Sequence, residues 1–174
     1  MTTITISGLP GTGKTTVAKL LEQRLGMKYV SSGDIFRQMA KKHQMSLEEF
    51  GEYCEKHPEI DEELDRCQLD ILRKGNVIVE GRISAWLASR NQIQAVKILL
   101  DAGLDTRVHR IIKREQGDKE KRKKEILKRE KSEATRYQKY YHIDVRDTSI
   151  YDLIIDTAEK TPEEIVEVIV EFLR

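Results

Sequence analysis

The sequence lacks most of the features that mark secreted, membrane-bound or metal-stabilised proteins. It contains only two cysteines among 174 residues, Cys54 and Cys67. Their spacing to each other and to the nearby histidines matches no standard zinc-ligand pattern, so we expect reduced thiols, no disulfide and no metal cluster. No apolar run approaches the roughly 20 residues of a membrane-spanning helix, and the first residues form a strand-like pattern rather than a signal peptide. We therefore expect a cytoplasmic protein with no membrane anchor.

An excess of one charge is lacking as well. Lysine and arginine number 31 and aspartate and glutamate number 30, so the formal net charge of +1 gives no general attraction to nucleic acid or membranes. Aromatic residues make up only 6% of the chain, yet the hydrophobic share of 39% is sufficient for a core. A length of 174 residues then indicates one domain.

The most specific feature present is a glycine-rich segment near the amino end. Residues 8–15 read Gly-Leu-Pro-Gly-Thr-Gly-Lys-Thr, which fits the phosphate-binding P-loop pattern. The alternating segment Ile4–Ser7 before it predicts a strand, and apolar residues at helical spacing after it predict a helix that ends at Gly26. We expect a nucleoside triphosphate to contact Gly8, Leu9, Pro10, Gly11, Thr12, Gly13, Lys14, Thr15 and Thr16.

The residue types of this loop suit phosphate chemistry. Its glycines allow a tight turn in which several backbone N–H groups converge on one anion, and the following helix adds the positive end of its dipole. Lys14 supplies a mobile positive charge for the outer phosphates, and Thr15 supplies a hydroxyl for Mg²⁺. The pattern predicts that ATP or GTP binds and does not indicate what is done with it.

The rest of the chain alternates between strand and helix patterns. Buried parallel strands are predicted at residues 28–31, 76–80, 95–101 and 152–156. Helices are predicted over about residues 35–42, from a capping box at Ser46, from about Asp61 to Gly75 after a break at Pro58, and after Thr161. This alternation predicts an α/β protein, a three-layer P-loop NTPase fold with a five-stranded parallel sheet.

The segment from about residue 105 to residue 151 is dominated by charge and has three interpretations. A solvated helix face accounts for most of its lysines. A nucleic-acid surface is disfavoured because acidic residues interleave with the basic ones. A mobile lid whose arginines close over phosphates is the third interpretation.

Several arginines suggest a second anion site. Arg37 and Arg82 follow the second and third predicted strands, and ligands of open α/β sheets bind at the carboxyl ends of strands. The guanidinium fork binds phosphate oxygens in pairs and stays charged. Further candidates lie in the charged segment: Arg107, Arg110, Arg129 and Arg136.

These motifs resemble those of the nucleoside monophosphate kinases, and within them the cytidylate kinases of the short archaeal form. Residues 32–37, Ser-Gly-Asp-Ile-Phe-Arg, resemble the acceptor-site motif of the family, and residues 80–82, Glu-Gly-Arg, resemble its Asp-Gly-Arg. Residues 105–110, Asp-Thr-Arg-Val-His-Arg, resemble the start of its lid. Arg129, Glu133 and Arg136 reproduce the spacing of the Arg, Asp and Arg of that lid.

The resemblance implies one P-loop kinase domain that uses ATP and Mg²⁺ to phosphorylate CMP or dCMP. Its parts would be a core (1–31, 76–104 and 151–174), an acceptor segment that holds the monophosphate (32–75) and a helical lid (105–150). The implied roles are catalytic for Lys14, Arg129 and Arg136, substrate-binding for Gly33, Arg37, Arg82 and Glu133, and metal-binding for Thr15.

The chain departs from the bacterial members of the family in two respects. Glu80 and Glu133 stand where those members have aspartates, so any sugar or metal contact is reached from a longer side chain. The acceptor segment is also shorter, so the residues that recognise cytosine in the bacterial members cannot be assigned to positions of this chain. We take Arg66 as the candidate for the base, since cytosine presents acceptors at O2 and N3.

Other functions remain open at the level of sequence. One alternative is a kinase for another acceptor, namely UMP, AMP, dTMP or a small alcohol, and an alcohol acceptor would need a general base. A nucleotide-driven switch or assembly factor could use the same loop, although the guanine-reading Asn-Lys-x-Asp string is absent. We expect a monomer whose partners are its small-molecule substrates, with no bound nucleic acid.

Overall fold

The computed structural model, which describes residues 2–174, contains one five-stranded sheet in the order β2-β3-β1-β4-β5. All four pairings are parallel, so every strand ends at the same edge. The strands are β1 (Ile4–Ser7), β2 (Lys28–Ser31), β3 (Val77–Glu80), β4 (Val96–Asp101) and β5 (Leu153–Asp156). Each lies within one residue of its predicted start and end, and the α/β class and the parallel sheet are confirmed.

Eight helices connect and cover these strands within the described residues. They are α1 (Lys14–Leu25), α2 (Ser32–Lys42), α3 (Leu47–Cys54), α4 (Pro58–Lys74), α5 (Ser84–Arg90), α6 (Leu104–Glu115), α7 (Lys119–Tyr141) and α8 (Pro162–Phe172). None of the helices in residues 2–174 is long and apolar enough to cross a bilayer.

Two apolar cores lie on opposite faces of the sheet because alternate strand residues point to opposite sides. On one face Ile4, Ile6 and Ile98 pack with residues of α1 and α8. On the other face Val77 and Val79 pack with residues of α4, α5 and the end of α7. Smaller apolar clusters lie within the acceptor segment and between α6 and α7. The result is a three-layer structure with two peripheral parts.

The helix starts differ from the sequence prediction at two points. The second helix begins at Ser32, immediately after β2, because the Ser31 hydroxyl accepts a hydrogen bond from the Asp34 amide and caps it there. Pro58 begins α4 rather than breaking the pattern, since proline suits the first helical turn, where its missing N–H has no partner. The capping box predicted at Ser46 is formed, and Thr161 caps α8 with a second capping box.

Candidate active site

The glycine-rich loop turns sharply between β1 and α1. Gly11 has φ of 84°, and a Cβ there would lie 2.6 Å from the carbonyl oxygen of Arg107. At Gly8 a Cβ would lie 2.3 Å from the carbonyl oxygen of Leu100. Side chains at these positions would push α6 and β4 away from the loop, so glycine is required by close approach as well as by backbone conformation.

Lys14 lies beneath this loop at the start of α1. Its side chain is 6% exposed, and its Nζ donates a hydrogen bond to the Leu9 carbonyl at 3.0 Å. Burial, with the nearby Arg82 guanidinium, lowers the pKa of Lys14 to about 7, although Glu80 and Glu133 oppose this shift. A bound polyphosphate would favour the charged form, so Lys14 would take up a proton when an anion binds in the loop.

Arg82 links the end of β3 to both the loop and the lid. Its guanidinium donates to the Gly8 carbonyl at 2.8 Å and to Glu133 of α7 at 2.6 Å. The other carboxylate oxygen of Glu133 accepts from Arg129 at 3.0 Å. Burial would raise the pKa of Glu133, but Arg82 and Arg129 outweigh it and hold the pKa at about 2. The structure therefore brings three predicted site residues into one ionic cluster.

Oxygen ligands suited to a magnesium ion lie at the carboxyl end of β3. The Thr15 hydroxyl donates to Glu80 at 3.1 Å, and the Tyr29 hydroxyl donates to the same oxygen at 2.9 Å. Hydroxyl and carboxylate oxygens are what Mg²⁺ takes in sites that it shares with substrate phosphates. Thr15 and Glu80 together fit the ion better than the threonine that the sequence alone suggested.

Two arginines at the start of the lid hold the loop from behind. Arg107 is 4% exposed and donates to the Pro10 carbonyl at 3.2 Å and to the Ala102 carbonyl at 3.0 Å. Arg110 donates to the Gly11 carbonyl at 3.4 Å and to the Thr157 hydroxyl at 2.9 Å. Arg107 also forms an ion pair with Glu130 of α7, so both guanidiniums are engaged, an arrangement that stabilises the loop conformation.

The acceptor side begins at α2. Arg37 lies on the first turns of this helix, with half of its side chain exposed, and pairs with Asp34 at 2.5 Å. A Cβ on Gly33 would lie 3.6 Å from the Arg37 guanidinium, so these two predicted residues are neighbours. A guanidinium at the surface with one exposed partner is available to an incoming phosphate.

Arg136 occupies a different environment from Arg129. It is 3% exposed and donates to Asp61 of α4 at 3.0 Å and to the Gly51 carbonyl of α3 at 3.4 Å. The Phe36 ring lies 5.7 Å from its guanidinium carbon, within the range of a cation–π contact. This ion pair joins the lid to the acceptor segment.

One cavity collects most of these groups. It is lined by loop, strand-end, acceptor-segment and lid residues: Pro10, Gly11, Gly13, Lys14, Thr15, Thr16, Ser31, Ser32, Gly33, Phe36, Arg37, Leu64, Glu80, Gly81, Arg82, Arg114, Arg129, Glu133, Arg136 and Tyr137. Its volume of about 150 Å³ is below the roughly 300–1,000 Å³ of typical ligand pockets, so two nucleotides require the walls to separate.

Arg66 is not brought to this cavity. It is exposed on α4 and lines a separate groove with Arg73 of the same helix and Arg90 of α5. The two cysteines are free thiols, with Cys54 buried and Cys67 exposed.

Sequence reasoning missed several residues of the cavity and its walls. Arg114 lines the cavity, and its spacing of seven and four residues from Arg107 and Arg110 places all three on one face of α6. Asp61 was missed because its partner Arg136 lies 75 residues away. The sequence did contain a signal for Asp61: it lies three residues before the apolar Leu64, so both residues are on the inward face of α4.

Solved structures share this architecture at low sequence identity. An uncharacterised protein from Eubacterium ventriosum has a TM-score of 0.73 at 18% identity and covers 99% of this chain and 98% of its own. A shikimate kinase from Bacteroides thetaiotaomicron has a TM-score of 0.63 at 16% identity with the same coverage. At this level of identity the likeness supports the P-loop kinase fold alone.

The sequence itself has much closer relatives. A cytidylate kinase from Methanocaldococcus jannaschii is 47% identical over 167 residues, which cover 95% of this chain and 94% of that protein. Cytidylate kinases from Pyrococcus horikoshii and Archaeoglobus fulgidus are 45% and 44% identical and cover 95% and 97% of this chain, and 85% and 92% of their own lengths. Residues 3–159 also match the model of the cytidylate kinase-like family. The resemblance inferred from the motifs is thereby confirmed, and the chain belongs to the cytidylate kinase-like family.

Proposed function

We propose that this chain transfers the γ-phosphoryl group of ATP to CMP or dCMP, yielding ADP and CDP or dCDP. The observation that carries the proposal is the meeting of two anion sites in one cavity. The loop with Lys14 forms one wall, and Arg37, Arg82 and Arg129 approach from the others. A simple nucleotide switch needs only the first site, whereas a kinase with a phosphate acceptor needs both.

The donor is proposed to bind along residues 8–16, with Lys14 exchanging its Leu9 carbonyl for phosphate oxygens. Magnesium, when bound, would be held by Thr15 and Glu80 and would neutralise phosphate charge. Arg129 would approach the γ-phosphate. Within residues 2–174 its one charged partner is Glu133, which it shares with Arg82. Of Arg82, Arg129 and Arg136, Arg129 therefore has the guanidinium with the fewest hydrogen-bond partners among the described residues.

The acceptor is proposed to bind across the ends of β2 and β3. Arg37 and Arg82 would hold its phosphate, with Gly33 allowing close approach and Arg136 adding charge from its pair with Asp61. An acceptor phosphate oxygen attacks the γ-phosphorus in line while the bond to the ADP oxygen breaks. That oxygen is largely ionised near pH 7, so no general base is required.

The same proposal assigns a fixed or a moving role to each of three parts of the chain. The core (1–31, 76–104 and 151–174) would stay fixed while the acceptor segment (32–75) and the lid (105–150) separate to admit substrates. The small apolar cluster of each segment supports this, because each cluster can stay packed as its segment moves. The end of α7 packs against the sheet and Arg107 and Arg110 bind the loop, so the moving part of the lid would lie between these attachments. We place the enzyme in pyrimidine nucleotide metabolism, as a cytoplasmic monomer, with a net charge of +1 that favours no nucleic acid.

The proposal is tested by coupled detection of ADP release with a panel of acceptors: CMP, dCMP, UMP, AMP, dTMP and shikimate. CMP and dCMP should stimulate ATP consumption most strongly. If no monophosphate stimulates it, the kinase function is rejected and a nucleotide-driven switch takes its place. Preference for another acceptor would keep the reaction class and reject the substrate.

A further inference from the structure

A buried amide lies directly behind the wall of the cavity, on its acceptor side. Gln68 of α4 is 2% exposed, and its Oε1 has no hydrogen-bond partner among residues 2–174. Native structures leave few buried polar atoms unpaired, because each costs on the order of 1–3 kcal/mol. A side chain of this kind calls for a ligand or a structural reason.

The position of Gln68 relates it to the cavity rather than to the apolar core. It lies one helical turn after Leu64, which lines the cavity, so both residues are on the same face of α4. Its Oε1 would lie 3.2 Å from a Cβ placed on Gly81, which also lines the cavity between Glu80 and Arg82. The unpaired oxygen therefore lies beside the proposed acceptor site.

The orientation of this amide is fixed by a second buried residue. Gln68 Nε2 donates to Asp65 Oδ1 at 3.4 Å, and Asp65 is 7% exposed. At pH 8, where Asp65 is ionised, turning the amide over would place its oxygen against a carboxylate oxygen, which is unfavourable. Asp65 thus keeps the acceptor end of the amide directed away from itself, and Gln68 presents an oxygen and not an N–H group.

We propose that Gln68, held in this orientation by Asp65, reads the exocyclic amine of the acceptor base. The inference rests on the proposed function and accounts for its preference for cytosine over uracil. Cytosine carries an amine at C4, which can donate to Gln68 Oε1, whereas uracil carries a carbonyl oxygen there. With UMP the buried Oε1 would stay unpaired and face another acceptor, so the site disfavours uracil. Gln68 contacts the base, and Asp65 is a positioning residue.

The decisive experiment measures kcat/KM for CMP and UMP at pH 8, where Asp65 is ionised, with three variants and the wild type. Gln68→Met keeps a similar volume without hydrogen bonds, and the CMP/UMP ratio should fall about 10- to 100-fold, the value of one such hydrogen bond. Asp65→Asn lets the Gln68 amide turn over, so kcat/KM for UMP should rise. Asp70→Asn, on the exposed face of the same helix, should leave both values unchanged.

A substrate analogue tests the inference without any variant. A CMP analogue with hydrogen in place of the 4-amino group should lose at least tenfold in kcat/KM with the wild type. The same analogue should lose little relative to CMP with Gln68→Met.

Two results would overturn the proposal: equal use of CMP and the analogue by the wild type, or an unchanged CMP/UMP ratio in folded Gln68→Met and Asp65→Asn. Failure of the wild type to phosphorylate any monophosphate would instead reject the proposed function.

Discussion

The donor and acceptor sides of the cavity are built in different ways. On the donor side the proposed ligands of the anion are backbone N–H groups of the loop. Arg82, Arg107 and Arg110 stabilise the loop by donating hydrogen bonds to its carbonyl oxygens. On the acceptor side the groups are side chains brought together from separate helices. Arg136 of α7 meets Asp61 of α4, and Asp65 meets Gln68 within α4.

This difference decides how much each side tolerates. A backbone site depends on a few glycines and one lysine, so a single change removes its chemistry. A site made of paired side chains behaves differently, because a change in one residue leaves its partner without a hydrogen bond or counter-charge. The donor side should therefore fail through lost catalysis, and the acceptor side through altered stability or altered choice of base.

The largest effect is expected on the donor side. Lys14→Ala should lower kcat by at least about 10²–10³-fold, because a preorganised charge on the transferred phosphoryl group is lost. The measurement is coupled ADP release at saturating ATP and CMP. Lys19→Ala, an exposed change on the same helix, is the control. If Lys14→Ala keeps most of the activity, the loop is not the donor site.

The same difference explains what could be predicted from the sequence. The loop at residues 8–15 and the five strands depend on contiguous residues, so local patterns placed them within about one residue. The acceptor side depends on which face of α4 points inward. Asp61, Asp65 and Gln68 share that face with Leu64 and Leu72, but their partners include residues 75 positions away. The base-reading candidate from sequence, Arg66, points into another groove.

An intermediate effect is expected where the lid meets the acceptor segment. Arg136→Met leaves the Asp61 carboxylate buried without its partner and should lower the free energy of unfolding by about 3–5 kcal/mol. The double variant Arg136→Met/Asp61→Asn removes the unpaired charge and should recover most of this loss. Urea denaturation measures both, and KM for CMP is measured in parallel.

The parallel measurement separates a structural from a functional role of Arg136. If Arg136 also adds charge to the acceptor site, the double variant should regain stability while its KM for CMP stays raised several-fold. A double variant with wild-type stability and wild-type KM would confine Arg136 to joining the lid and the acceptor segment.

The smallest effect concerns the free energy of unfolding that is lost when the buried Asp65 ionises. Burial and the nearby charge of Asp61 raise the pKa of Asp65 to about 7, although the charge of Arg136 opposes the shift. The folded state therefore holds a proton that the unfolded state has released, and stability falls as the pH rises from about 4 through 7. Between pH 5 and pH 8 the loss should be about 3 kcal/mol at the usual 1.36 kcal/mol per pKa unit.

Asp65→Asn cannot ionise and should remove this part of the pH dependence. Other groups contribute to the pH profile, including Lys14, whose lowered pKa increases stability above pH 7. The quantity to compare is therefore the difference in free energy of unfolding between wild type and variant at pH 5 and at pH 8. The variant should gain relative to the wild type at pH 8. No gain would mean that the Asp65 carboxylate is solvated, and the fixed amide orientation of Gln68 would lose its support. A gain in stability joined to a loss of base discrimination would show that the acceptor side retains Asp65 for specificity at the expense of stability.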